Sequence, residues 1–558
     1  MLSKATISTL TAVCASTMTA LVLGMGVGLT TVSAVCSLAL GFLAGTVAWQ
    51  SLAEFPKGEP ARGWAAWAVI TVFVLFALRA FCWVLFSAKG ELHCLSPNNL
   101  GDLSLHLTYI RWLAHAPFWP ENPIFAGTPL HYPFGVDLWN ALLLKIGVDV
   151  QRGLVWMGLL GALATGVALW RWGGVFTMAG FLFNGGIAGF VFLKKGMFAD
   201  YQAVLDWQNL PLTLFVAQRG FLYAIPVGLF LLWSWRARFL EGKPGLPFWI
   251  EWLLYATMPL FHLHTFIFLS VMLGCWLVLP ARAAIFRLGV CAFLPATALV
   301  LMLTGGGESA HVIRIEPKGW LKDNVWQNFG FWPLAIAALL AWLWWRKQKP
   351  LAAVALPALS LFIITLFVIF AQWTWDNTKL MLWCYLAILP PLWAMLRELP
   401  PHFRTFACVL LFFSGAISLF GGLSGKGYQV ANEEELDQIK VALHDIPPTA
   451  TFACRPTFNH PLLLLGHKVV AGYAGHLASH GTAYKPRFFA LKSVMHGDPG
   501  WETRARELGA DYLFWGRMEQ EEYGYKPPWQ SPVTVGFPLV VWGPWGVLYS
   551  LSDHPTPR

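Results

Sequence analysis

Asp102 and His106 stand four residues apart in a polar stretch between long apolar runs, and a carboxylate with an imidazole suits proton transfer from a hydroxyl. Residues 99–116 open Asn-Asn-Leu-Gly-Asp and then set Leu103, Leu107, Ile110 and Leu113 at helical spacing. That spacing predicts an amphipathic helix lying on a membrane surface, with Asp102 at its start and His106 one turn further along the same face. Asp is also a common helix cap, and capping does not exclude service as a base. His106 either orients the acid, contacts a phosphate or is purely structural.

A second set of side chains suits phosphate binding: Arg219, Lys194, Lys195, Arg314, Lys318 and Lys379. Charges at a membrane edge are costly enough to point to function, although lysines near span ends also snorkel to the surface. Arg219, in Ala217-Gln-Arg-Gly220 just before an apolar run, ranks first because a planar guanidinium grips phosphate in bidentate fashion. Substrate contacts are assigned to His131 and Tyr132 of the Ala126–Gly135 run, to His262 and His264, and to Asp376. His262 and His264 lie two apart and share a face only if the helix breaks between them; a satisfied buried pair is the alternative. Asp376 and Lys379, flanked by Trp373 and Trp375, read either as an ion pair at a span end or as a contact to sugar or phosphate. His467, His476 and His480 have no matching Cys or acid arrangement and read as a docking loop rather than a metal centre. No cofactor is expected, and a divalent metal has no support in the spacing.

The elements that hold these residues follow from composition. The chain has 558 residues, 57% hydrophobic and only 12% charged, with mean hydropathy +0.56, which makes it a multi-span membrane protein. The net charge of +9 is spread between apolar runs rather than gathered in a stripe, so it reads as a topology signal and not as nucleic-acid binding. Apolar runs near 5–28, 30–50, 64–87, 153–170, 173–193, 220–235, 246–261, 264–280, 286–304, 328–345, 351–371, 380–396 and 405–421 predict about thirteen spans. Alternate connections carry Lys57/Arg62, Arg171, Arg236/Arg238/Lys243, Arg282/Arg287, Arg346/Lys347/Lys349 and Arg397/Arg404. By the positive-inside rule the N-terminus is then cytoplasmic, and Asp102, Arg219, His262, Asp376 and the tail share the outer face.

Two segments lie outside this pattern. Residues 88–152 form a long loop whose prolines 120, 123, 129 and 133 fix an irregular backbone, tolerated at a membrane only where it covers a cavity. Residues 422–558 read as a small α/β domain, with a helix over 433–446, strands in TFACR, HKVVAGY and DYLFWG, and a hairpin around Gly543-Pro-Trp-Gly546. Cys94 and Cys454 alone lie in polar segments, which leaves a bridge between them conceivable.

The GD-x-x-x-H helix after an early span, the Pro120-Glu-Asn-Pro123 segment and Gly127-Thr-Pro-Leu-His-Tyr-Pro-Phe-Gly135 resemble the first external loop of polytopic glycosyltransferases of the GT-C superfamily. That superfamily includes protein O-mannosyltransferases, oligosaccharyltransferases and lipid A aminoarabinose transferases, and the likeness is greatest to its prokaryotic members. The resemblance covers the loop, and the remaining spans only by architecture. It implies an all-α polytopic membrane domain in residues 1–421, carrying the 88–152 loop, with an extracytoplasmic α/β domain after it. It also implies transfer of a sugar from a polyprenyl-phosphate donor to a glycan, lipid or protein acceptor at the plasma membrane. Asp102 then corresponds to the acidic residue of the loop and acts as base, with inversion in a single displacement. The chain has no D-x-D triplet, which favours the metal-independent branch. A transporter or flippase of lipid-linked sugars would share the spans and cations but should show an internal repeat, and none is present. A non-catalytic envelope protein leaves the placement of Asp102 without a reason.

Overall fold

The structure is a computed structural model that describes every residue except 56–62, 116–119, 306–312, 317–319, 321–324, 525–526, 528–538 and 552–558. Its first part runs through α1 (Leu2–Val27), α2 (Thr31–Ser51), α3 (Trp64–Cys82), the hairpin β1 (Phe86–Ala88) and β2 (Glu91–Cys94), α4 (Leu100–His115), α5 (Gly135–Lys145) and α6 (Val150–Leu182). There follow α7 (Phe192–Lys195), α8 (Phe221–Trp235), α9 (Phe248–Ala256), α10 (Met258–Phe261), α11 (Leu263–Trp276), α12 (Arg282–Thr304) and β3 (Arg314–Ile315). After these come α13 (Val325–Phe329), α14 (Trp332–Arg346), α15 (Lys349–Thr365), β4 (Val368–Ile369), α16 (Thr378–Leu396) and α17 (Pro401–Leu423). Among the described residues seven helices are long and apolar enough to cross a membrane: α1, α2, α3, α6, α12, α16 with the turn before it, and α17.

By length and composition these seven account for part of the expected count of about thirteen. The runs at 153–170 and 173–193 both fall on α6, which is two helical stretches broken at Gly173 and Gly174, the latter with a φ of +70° that a side chain would rarely allow. The runs at 220–235, 246–261, 264–280, 328–345 and 351–371 give α-helices of 4 to 17 residues, of which α8 continues directly into a π-helical turn at Arg236–Leu240. In α8 every residue but Trp233 is buried, so its continuous hydrophobicity reflects enclosure by protein on all sides. Arg171 lies just before the break in α6, and Lys57 and Arg62 fall outside the described residues.

Packing among the first spans follows from small residues. At Gly41 an added Cβ would sit 1.7 Å from Ser16 Oγ, so α1 and α2 meet at backbone distance, where dispersion contacts hold apolar helices together.

The tail contains β5 (Tyr428–Asn432), α18 (Glu433–Ala442), β6 (Thr451–Ala453), α19 (Pro461–Leu464), β7 (Lys468–Val469) and α20 (Ala474–Ser479). It continues through α21 (Lys485–His496), α22 (Trp501–Glu507), β8 (Tyr512–Gly516), α23 (Arg517–Tyr523), β9 (Leu539–Gly543) and β10 (Gly546–Ser550). A mixed sheet takes the order β7-β6-β8-β10-β9, with helices packed against it and β9–β10 as its hairpin. β5 leaves this sheet and pairs antiparallel with β2, placing Glu91 opposite Asn432. Glu121 and Lys468 form an ion pair at 3.0 Å, and Val469 N donates to Pro123 O at 2.9 Å. The 88–152 segment is thus clasped between the bundle and the tail. All nine cysteines are free: Cys94 donates to Ser96 O in β2, while Cys454 lies beside His460 at the mixed sheet.

Candidate active site

α4 carries the central residues, and its environment differs from the expected one. A helix lying on a membrane would keep a wet face, yet 11 of its 16 residues are buried. Leu103, Leu107 and Ile110 pack with Val84, Leu85, Leu154 and Leu464, while Leu105, Tyr109 and Leu113 join the main core on the other side. The helix is therefore an internal element roofed by the tail, not a surface one. Nor does Asp102 cap it. The chain enters α4 from the 3₁₀ turn Pro97–Asn99, and Asp102 sits within the first turn with no side-chain hydrogen bond to the backbone.

What Asp102 faces is charge. Burial raises its carboxyl above the usual range, His106 and Lys379 pull it partly back, and Asp376 adds to the rise. Asp376 and Lys379 form an ion pair at 2.9 Å at the start of α16. That pair also acts on His264 of α11 and on His480, just past α20. Tyr132 closes the group, with its ring 6.2 Å from His106, 5.2 Å from Tyr109 and 5.0 Å from His480. Four stretches of the chain, at 102–132, 264, 376–379 and 480, thus meet in one cluster.

Behind His106 lies a second, drier layer. Its Nδ1 is 2.9 Å from both oxygens of Asp137, in the first turn of α5, with His106 and Asp137 3% and 1% exposed. Asp137 is also the carboxylate that acts on Arg219, which is 1% exposed. Arg219 reaches only Leu154 O, at 3.4 Å, and its Nε and Nη1 have no partner. A buried guanidinium with idle donors is expensive unless a ligand completes it. His264 Nε2, His480 Nδ1 and the Tyr109 hydroxyl are likewise buried without a hydrogen bond.

The site residues read from sequence divide into three groups. Asp102, His106, Tyr132, Arg219, His264, Asp376 and Lys379 are brought together. His262 lies beside them in a mainly structural place: the helix does break there, at φ −162° and ψ 105°, and its Nδ1 accepts from Thr265 N to cap α11. Its ring packs against Phe221, tilted by 38° with centroids 3.9 Å apart. Lys194, Lys195, Arg314 and His131 lie elsewhere. Lys194 and Lys195 are exposed on α7, with Lys195 over the Tyr201 ring. Arg314 is bound to Glu316 and to the carbonyls of Ala371 and Gln372. His131 packs at Gly305, where a Cβ would come within 2.5 Å of its ring. Lys318 lies outside the described residues.

Asp137, Tyr109, His476 and His480 are the members the sequence did not place. Asp137 opens a helix, so by type it reads as an ordinary first-turn acid. His476 and His480 belong to the segment read as docking on the membrane part, and it does dock, through His480 on Tyr132 and His476 beside Gly101. No group of three or more His, Cys, Asp or Glu among the described residues is arranged to hold a metal ion.

Burial lowers His476 to about 4, helped by His106, and lowers His480 to about 3, helped by His476 and Lys379. Both are neutral when folded, whereas an exposed histidine titrates near 6.5. Their contribution to stability is therefore full above about pH 6.5 and is lost as pH falls toward 3–4. Acidification across that window is expected to loosen the docked segment before the bundle melts, seen as faster hydrogen exchange in 474–482 than in α6. Equal protection at pH 4 and pH 7 would contradict it.

No protein-family model matches the chain, and no curated protein matches it. Among solved structures it is similar to the archaeal oligosaccharyltransferase AglB from Archaeoglobus fulgidus in complex with an inhibitory peptide and a dolichol-phosphate. The identity is 12% and the TM-score 0.40, over 82% of this chain and 70% of that one.

Proposed function

We propose that the protein is a membrane glycosyltransferase that moves a sugar from a polyprenyl-phosphate donor to an acceptor hydroxyl at the face of the membrane carrying the tail. The observation that supports this best is a carboxylate raised by burial, linked through His106 and Asp137 to a buried arginine whose donors are idle. A general base works best when its pKa lies near the working pH, and a departing phosphate needs preorganised donors.

In this reading the acceptor oxygen attacks the anomeric carbon, its proton passes to Asp102, and the bond from that carbon to the phosphate oxygen breaks. The bonding pair leaves with the polyprenyl phosphate, and the configuration at the anomeric carbon inverts. Lys379 and Arg219 meet the charge that develops on the leaving group. Asp376 holds the Lys379 ammonium, and Asp137 keeps His106 and Arg219 in place. Tyr132, His264 and His480 present a mixed aromatic and polar wall suited to a sugar ring.

Copurification of a lipid-linked sugar with the protein, and its consumption on adding acceptor, tests the reading. Electrogenic transport in vesicles without turnover of the lipid phosphate would replace it by the transporter. Arg219→Ala is expected to weaken donor use by roughly 10–100-fold, the worth of a charged hydrogen bond, and Arg219→Lys to restore only part of it. Full activity in Arg219→Ala would move the phosphate contact to Lys379. A tag on the C-terminus should be reachable only from the side of the membrane opposite the basic connections; a cytoplasmic tag would reverse the orientation.

A further inference from the structure

The end of the bundle remote from Asp102 holds a large cavity that the proposed reaction leaves unused. Lys379 and Arg397 bracket α16, and at about 1.5 Å per residue the 18 steps between them cover about 27 Å, close to a hydrocarbon thickness. Around the Arg397 end, α3, α6, α16 and α17 part to leave about 1180 Å³. Ligand pockets commonly measure about 300–1,000 Å³, so this space exceeds what a free small ion would require.

Its lining is amphipathic. Arg171, Arg236 and Arg397 border it, and no Asp or Glu does among the described residues. Trp393, Phe176 and Phe412 supply apolar wall. Two of the arginines are braced from behind. Arg171 lies 5.1 Å from the Phe55 ring and 5.2 Å from that of Trp233, and Arg236 lies 5.2 Å from the Trp172 ring while its Nε meets Glu241 at 2.9 Å. A separate observation points the same way. Gly173 and Gly174 take non-helical backbone angles within α6 and both line this cavity, and non-helical backbone in a membrane bundle persists where it lines a cavity.

We propose that this cavity is a binding site for an anionic membrane phospholipid, its phosphate held by Arg171, Arg236 and Arg397 and its acyl chains against the Trp393 and Phe412 wall. Basic pockets between membrane helices recruit such headgroups, and guanidinium forks match phosphate geometry. The site is independent of the glycosyl-transfer reading, since none of its residues belongs to the group around Asp102.

The test uses the full chain, purified in detergent and stripped of lipid, then mixed with phosphatidylglycerol, phosphatidylcholine or inorganic phosphate. Phosphatidylglycerol should raise the unfolding temperature and stay bound in native mass spectra, while phosphatidylcholine and inorganic phosphate do neither. Arg397 is exposed, so Arg397→Gln should fold normally and cut the phosphatidylglycerol retained by roughly tenfold, the loss of one charge-assisted bond. Arg171→Lys, which keeps the charge but not the fork, should fall between the two. Equal retention of phosphatidylcholine, an equal shift with inorganic phosphate alone, or undiminished retention by Arg397→Gln would each overturn the proposal.

Discussion

Asp102→Asn is expected to lower kcat by about 10²–10⁴ while leaving donor binding near that of the native protein. The substitution preserves shape and removes the carboxylate charge together with its capacity to take a proton. A capping role predicts little change, because Asn and Asp cap about equally well, and Asp102 makes no capping bond to lose. The stability effect has a definite sign. A carboxyl raised by burial contributes least to stability above its folded pKa, where the charge must be held in a poor dielectric. Asn carries no such charge, so at neutral pH the variant should melt no lower than the native protein and somewhat higher. Activity of the native protein should fall as pH drops through the raised pKa, above the ordinary carboxylate range. Asp102→Glu keeps the charge but moves it by a methylene, so partial activity at best is expected. Native turnover in Asp102→Asn would refute the assignment, and Asp376 would be the next carboxylate to try.

Asp137→Leu should give the largest loss of stability of any single change in the site, on the order of 3–5 kcal/mol, through stranding of the buried Arg219 charge and the His106 ring. Asp137 is 1% exposed, and its two oxygens are both taken by His106 Nδ1 at 2.9 Å. Asp137→Asn keeps an acceptor for His106 but no charge for Arg219, and should lose less. Combining Asp137→Asn with Arg219→Met removes the stranded charge, so the double variant should be more stable than the sum of the singles. Thermal unfolding of the four proteins in one detergent measures this coupling. Additive losses would mean that Asp137 serves His106 alone.

Much of this site was legible because its chemistry is local. The spacing of Leu103, Leu107 and Ile110 specifies a helix, and a Gly-Asp start with His four residues on marks its polar edge. What spacing cannot carry is which faces end up covered. α4 reads as half wet because the apolar surface that buries its other face, around Leu464, arrives with the tail. The same limit hid His480: an imidazole in a glycine-rich run has no partner in its own neighbourhood, and its contact is Tyr132, in a distant loop. The number of spans is hard to read from sequence for a different reason. Apolar runs such as α8 are equally hydrophobic whether they face lipid or protein, and length separates the two only when helices run straight. Lys194 and Lys195 drew interest as cations on the outer side, but charge alone does not say where a short helix points.

The pairing of β2 with β5 sets an order on biosynthesis. Glu91 leaves the ribosome well before its ladder partner Asn432, which follows only after α17 has been made. At ordinary elongation rates that wait lasts roughly 20–70 s, during which the bundle and α4 exist without their roof. His476 and His480 come later still. The cluster around Asp102 is therefore completed only once the segment carrying His476 and His480 has been made, and a chain released before that point would hold its first spans but not the finished cluster.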